Sequence, residues 1–300
     1  MIPLSRFFVY CFEIGYMGNA PSSCADSATN SELTFPKMWV RVSSVWHFYI
    51  IYAKGENTMS DKEKNAQPTH SMDELNNKYP TPRGFTGFFW YHVSMAITHI
   101  LVKLRAGSKE NIPSVHPYVI CSNHQTYADG MWIMSCLPRK HRKYFCALAA
   151  SDLETNYGRL GRVMMHVGRG IAVDRFGNPV RGLIKAKKEV ENGNIILVHP
   201  EGTRTSDGHL GEFKDGAAYI AIKANAPLLP VYIEGGYQAW SRHMKRPQTW
   251  DKVHHRRKRI TIHFGKPFMP ADYDRDAHKM TEAVLSWMKE MEKNDVNLQG

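Results

Sequence analysis

The apolar positions of the first 58 residues follow no sustained period. Short aromatic runs are interrupted by a polar stretch at 18–32, and the chain then turns polar again from Met59. Residues 1–58 therefore read as an atypical extension, with Met59 as an alternative start. Residues 59–84 hold Pro68, Pro80 and Pro82 among polar neighbours and read as a tail or linker. Over 85–106 the pattern changes. Phe89, Val93, Ala96/Ile97, Ile100 and Leu104 recur at helical spacing, with His92, His99 and Lys103 as a narrow polar stripe opposite. Such a helix suits a membrane interface or a core-packing position. The cluster Phe88-Phe89-Trp90-Tyr91 favours the interface, where Trp and Tyr settle at headgroup level. No uninterrupted run of apolar residues is long enough for a conventional spanning helix.

Beyond residue 107 short β-like runs alternate with helical patterns. Strands are expected at 118–122, 144–148, 171–173, 195–199, 228–233 and 260–264. Helices are expected near 128–136, from Asn178-Pro179 to Gly193, at 216–225 and at 275–293. Pro230 inside an apolar run argues for an edge strand or a bulge. The alternation predicts an α/β domain over 107–300, with no internal repeat.

Lys+Arg exceed Asp+Glu by 39 to 28, a net charge of +11, which favours an anionic partner: nucleic acid, a phospholipid surface or a phosphorylated substrate. The segment 242–259 concentrates this excess, with Arg242, Lys245, Arg246, Lys252, Arg256, Arg257, Lys258 and Arg259 against the single acid Asp251. A solvated loop, an anionic bilayer contact and a donor-phosphate site are the three readings of that segment. The five cysteines form no Cys-x-x-Cys pair and read as free thiols.

Two segments directly after expected strands carry the chemistry. In Asn123-His124-Gln-Thr-Tyr-Ala-Asp129 a histidine stands at the carboxyl end of a strand, where open α/β sheets place ligand chemistry. Asp129, across the turn, can accept from one imidazole nitrogen and leave the other as a general base. In His199-Pro-Glu201-Gly202-Thr203-Arg204 the glycine permits close backbone approach, and Arg204 can fork onto a phosphate. Glu201 can orient a substrate hydroxyl or Arg204 itself. A third segment, Val173-Asp174-Arg175, offers a second cation. A nucleophile elbow, a Walker loop, a dinucleotide fingerprint and zinc-spaced Cys/His clusters are all missing from the sequence, so neither a metal nor a tightly bound nucleotide cofactor is expected.

Taken in order, Asn-His-x4-Asp, Val-Asp-Arg, Pro-Glu-Gly-Thr-Arg and Pro-Leu-Leu-Pro-Val resemble the PlsC-like 1-acylglycerol-3-phosphate acyltransferase family, from about Phe85 to the C-terminus. Three positions depart from the family pattern: Ala172 replaces an aromatic, His199 a phenylalanine and Thr205 a serine. The resemblance implies a mixed, largely parallel sheet flanked by helices, glycerolphosphate acyltransferase-like, behind an N-terminal amphipathic membrane-associating helix. It also implies acyl transfer from a thioester, acyl-CoA or acyl-ACP as co-substrate, to the hydroxyl of lysophosphatidic acid. His124 would be the base and Asp129 its partner, with Glu201, Gly202, Thr203, Arg204 and Arg175 around the acceptor phosphate. Another lysophospholipid or glycerol-3-phosphate is the alternative acceptor. The implied setting is the cytoplasmic face of the membrane, peripheral or monotopic, with a phospholipid surface as partner. A basic nucleic-acid- or membrane-binding protein without catalysis is the reading from a different class. It lacks a recognisable reading module, and nucleic acid is not expected as a partner.

Overall fold

The computed structural model describes residues 72–174, 178–244 and 246–298. Along these the strands are β1 (Lys103–Gly107), β2 (Val119–Ser122), β3 (Phe145–Ala150), β4 (Gly170–Val173), β5 (Ile195–Val198), β6 (Leu228–Glu234), β7 (Trp250–Asp251), β8 (Arg256–Arg257) and β9 (Arg259–Phe264). The helices are α1 (Met72–Lys78), α2 (Gly84–Leu101), α3 (Asp129–Cys136), α4 (Arg139–Arg142), α5 (Leu153–Gly168), α6 (Val180–Glu191), α7 (Gly216–Lys223), α8 (Gly236–Trp240) and α9 (Ala277–Lys293).

Seven strands form one sheet in the order β1-β9-β6-β2-β5-β3-β4. All neighbours are parallel except β6 and β9. The expected mixed, largely parallel sheet is therefore present, and its central strands are apolar on both faces, as burial from both sides requires. On β2, Ile120 enters one core with Trp132, Leu197 and Val231. Val119 and Cys121 enter the other with Ile196, Ala218, Met280, Val284 and Met288. That second set includes the helical face Met280, Val284 and Met288 of α9.

Pro230 lies in an interior strand, not at an edge. The β6–β9 ladder ends at Val231↔Phe264 and resumes as a lone bridge at Leu228↔Phe268, so the missing N–H falls in the break between them. Asn178 acts where a helix start was expected, its Oδ1 accepting from Val180 N–H at 2.9 Å.

Several stretches differ from the sequence reading, among them α5, where no helix was expected. Residues 72–78, expected at the end of a polar tail, form α1, which buries Leu75 against Met165 and Ala172. The 85–106 helix stops at Leu101, and residues 103–107 join the sheet as β1 beside β9. Strand-to-strand pairing overrides the continuing apolar spacing there. Arg83, just before α2, explains how that helix is fixed. Its guanidinium donates to Val167 O at 2.6 Å, Arg142 O at 2.6 Å and Phe145 O at 2.8 Å. Burial brings its pKa down to about 10. Gly87 is needed for the close approach of α2 to α5, since a Cβ there would meet His166 at 2.8 Å.

One face of α2 enters the domain through Tyr91, Met95 and Thr98. The opposite side leaves Phe85, Phe88, Phe89 and Ile100 exposed. No helix among the described residues is long and apolar enough to cross a membrane.

Candidate active site

β2 and β5 are adjacent and parallel, with Cys121 opposite Val198, so the loops that follow them leave the same edge of the sheet side by side. That adjacency brings two motifs 77 residues apart in sequence into hydrogen-bond contact. Each loop is then fixed by its own side chains. Asn123 pairs with β6 as a strand would, accepting from Ile233 N–H at 2.7 Å and donating to Ile233 O at 3.0 Å. Buried and paired this way, it is a clamp on the loop.

Asp129 opens α3 and is fully buried. Its Oδ2 accepts from Gln125 N–H at 2.7 Å, Thr126 N–H at 2.9 Å and His124 Nδ1 at 3.0 Å, and Oδ1 accepts from the Thr126 hydroxyl at 2.7 Å. Burial raises its pKa above the ordinary value, while the Thr126 and Gln125 hydrogen bonds oppose that rise. A carboxylate only accepts, so the hydrogen in this pair sits on His124 Nδ1 and the lone pair is left on Nε2. His124 is 20% exposed through its side chain, so the ring reaches the surface of the site while its partner does not.

The second loop grips the first. Glu201 Oε1 accepts from His124 N–H at 2.9 Å, and Oε2 accepts from Gly211 N–H at 3.2 Å. Both oxygens of this buried carboxylate are thus engaged by backbone N–H groups, and Glu201 braces the two loops against each other. Burial pushes its pKa up to about 7, with the two N–H donors pulling the other way. Thr205 completes the grip, its N–H donating to His124 O at 2.9 Å. Gly202 takes a positive φ of 71°, which a glycine accepts without strain. Thr203 is exposed and Arg204 half-buried. The Arg204 guanidinium lies over the Tyr127 ring, 3.7 Å from its centroid, and Tyr127 in turn meets the Tyr157 hydroxyl. β4 ends on the same edge at Val173, but Arg175 lies outside the described residues.

Sequence reasoning did not single out Asn123 as a clamp, nor Tyr127, Thr205 and His199 as parts of the site. His199 lies against His124 with ring centroids 3.9 Å apart and planes 8° apart. Ligand atoms of His124, Asp129 and His199 fall within 4.8 Å of one another, which is close enough for a metal ion. The stacking argues against that use, because in-plane lone pairs of parallel rings run side by side and do not converge.

A histidine hydrogen-bonded to a buried carboxylate thus stands beside a Gly-Thr-Arg turn at the carboxyl edge of a mostly parallel sheet, an arrangement suited to acyl transfer. The acyltransferase family model matches residues 103–234, which span the sheet from β1 to β6 and both loops. Human 1-acyl-sn-glycerol-3-phosphate acyltransferase beta is 31% identical over 123 residues, 40% of this chain and 42% of that protein. The mouse alpha enzyme is 26% identical over 148 residues, 48% of this chain and 50% of that one. The matched stretch thus spans about half the length of these curated relatives or less. The crystal structure of the 1-acyl-sn-glycerophosphate acyltransferase PlsC from Thermotoga maritima shares the fold. Its TM-score is 0.52 at 19% identity, over 85% of this chain and 91% of that one. Residues 103–234 of this chain thus match the acyltransferase family model, and the chain is similar over part of its length to 1-acyl-sn-glycerol-3-phosphate acyltransferases.

Proposed function

We propose that this protein transfers an acyl chain from a thioester, on coenzyme A or acyl carrier protein, to the free hydroxyl of lysophosphatidic acid, giving phosphatidic acid. The observation that carries this reading is the 3.0 Å hydrogen bond between His124 Nδ1 and the buried Asp129 carboxylate. With Nδ1–H committed to Asp129, His124 Nε2 takes the proton of the acceptor hydroxyl. The oxygen attacks the thioester carbonyl, the C–S bond breaks, and the thiolate leaves with the proton that His124 had taken. Asp129 stabilises the imidazolium that exists between those two transfers. No acyl-enzyme is needed.

The acceptor phosphate is assigned to Arg204 with the Gly202–Thr203 turn, and Arg175, two residues after the end of β4 in sequence, is assigned as a second cation. Stacking on Tyr127 supports the Arg204 assignment, because it presents a planar fork already oriented for an oxyanion. Membrane attachment, peripheral or monotopic on the cytoplasmic face, is assigned to α2. Its exposed phenylalanines would enter the interface, and the β7–β8 hairpin lies beside the end of that helix. Arg257 in the hairpin donates to His99 O and Ile100 O, and exposed Trp250 and Val253 extend the apolar surface among cations.

The test is acyl transfer by the purified full chain with both thioester carriers, against lysophosphatidic acid, lysolipids of other headgroups and glycerol-3-phosphate. Turnover fastest on lysophosphatidic acid is expected. Preference for a lysolipid without a phosphomonoester would overturn the acceptor assignment, and no turnover on any acceptor would overturn the enzyme reading.

A further inference from the structure

The ring that lies on His124 is itself fixed to the sheet. His199 Nδ1 has Ser122 O at 3.0 Å and Asn123 O at 3.1 Å. Both partners are carbonyl oxygens, so this nitrogen carries a hydrogen and donates. The tautomer is thereby set, and the ring is tied to the last residues of β2. His124 is tied on its other side, by Nδ1 to Asp129. The two imidazoles lie 8° from parallel, so neither can turn about its own axis without breaking a hydrogen bond or the stack.

We propose that His199 is a positioning residue for the base: an aromatic plate, anchored to the end of β2, that holds the His124 ring in the plane where Nε2 meets the acceptor hydroxyl while Nδ1 stays on Asp129. This rests on the acyl-transfer reading, in which His124 is the base. The plate works because it stays neutral. Burial first, and the neighbouring His124 second, push the pKa of His199 down to about 3, against the pull of Asp129 and of the two carbonyls. The charged groups around it are His124 from the loop after β2 and Asp129 at the start of α3. On its own loop they are Glu201, held on His124 N–H, and Lys214, whose Nζ approaches Gly202. When His124 becomes an imidazolium it faces a neutral π surface, which attracts it; a second imidazolium there would repel it.

The experiment compares His199→Phe, which keeps the plate without its nitrogens, with His199→Ala, which removes it. For the alanine variant kcat is expected to fall about 10- to 100-fold, the cost of a loosely held reacting group, with KM for thioester and acceptor unchanged. The phenylalanine variant is expected to keep most of the wild-type kcat and the same acid limb in its pH profile. Equal losses in the two variants would assign the nitrogens of His199 a chemical part and overturn the plate, as would an unimpaired alanine variant. A separate measurement needs no activity: ring ¹⁵N NMR of the wild-type chain. His199 is expected to remain the Nδ1–H tautomer between pH 5 and pH 8, and titration in that range would overturn the proposal. Failure of the enzyme reading looks different, since it shows as a wild type with no turnover or a His124→Ala variant that retains it.

Discussion

The backbone N–H of His124 donates to Glu201 Oε1 at 2.9 Å, so the histidine of one motif hangs on the carboxylate of the other. That carboxylate titrates at about 7, above its ordinary 4.5, because burial penalises its charge. The folded state therefore holds this proton more tightly than the unfolded chain. Between about pH 4.5 and pH 7 the folded protein binds more protons, so this group's contribution to stability falls as pH rises through that window. Glu201→Gln, which cannot ionise, removes this slope. Thermal melts at pH 5 and pH 8 should show wild type losing more Tm than the variant across the interval. Parallel losses in the two proteins would refute the assignment.

Asp129→Asn separates charge from geometry. An amide oxygen at the Oδ2 position can still accept from Gln125, Thr126 and His124, and the amide NH2 at Oδ1 can donate to the Thr126 hydroxyl, which rotates to accept. The fold should survive, with a melting curve near wild type. What disappears is the negative charge that stabilises the imidazolium. We expect kcat to fall about 10²- to 10⁴-fold, the range of a general base deprived of its partner, and His124→Ala to fall at least as far. A His124→Ala variant keeping more than about a tenth of wild-type activity would be incompatible with the base assignment.

The pair itself was legible in sequence because it is local. His124 and Asp129 sit five residues apart across one turn, after an apolar run that reads as a strand. The α/β alternation was legible too, from apolar runs alternating with helical periods, whereas the mixed, largely parallel sheet was implied by the family resemblance. What the sequence left hidden was long-range or unpatterned. The link from Glu201 to His124 exists because β5 lies beside β2, and no local spacing encodes that adjacency. The same holds for the His199–His124 stack, although the phenylalanine-to-histidine departure at 199 marked the position. α5 went unread because its spacing is broken by Gly158 at φ 53°. The end of α2 was set too late because β1 continues an apolar pattern in a different backbone conformation.

The proposed membrane attachment through α2 has a direct consequence. Phe85, Phe88 and Phe89 are exposed, whereas Tyr91 and Met95 on the same helix are core residues. Replacing the three phenylalanines by serine leaves the buried face intact, so circular dichroism should not change. Each phenylalanine moved into an apolar phase contributes roughly 1.5–3 kcal/mol, so co-sedimentation with anionic vesicles should drop at least about tenfold. Unchanged sedimentation would transfer the membrane contact to the basic segment 242–259. In that case 0.5 M salt, about three times the physiological ionic strength, should release the wild-type protein by screening its cations.

Arg204 lies over Tyr127, its guanidinium carbon 3.7 Å from the ring centroid, and this geometry makes lysine a poor substitute. An ammonium keeps the charge but lacks the planar fork, and its stem does not stack as a guanidinium does. If the fork holds the acceptor phosphate, Arg204→Lys loses a charge-assisted contact worth about 1.5–3 kcal/mol, or about ten- to a hundredfold in kcat/KM for lysophosphatidic acid. The thioester KM should barely move. Tyr127→Leu should act in the same direction but more weakly, since it removes the surface that orients the fork and leaves the cation. Because the two side chains touch, the double variant Tyr127→Leu/Arg204→Lys should cost less than the sum of the single changes. A selective rise in the thioester KM, with acceptor kinetics unchanged, would place Arg204 on the donor's phosphates and refute the acceptor assignment.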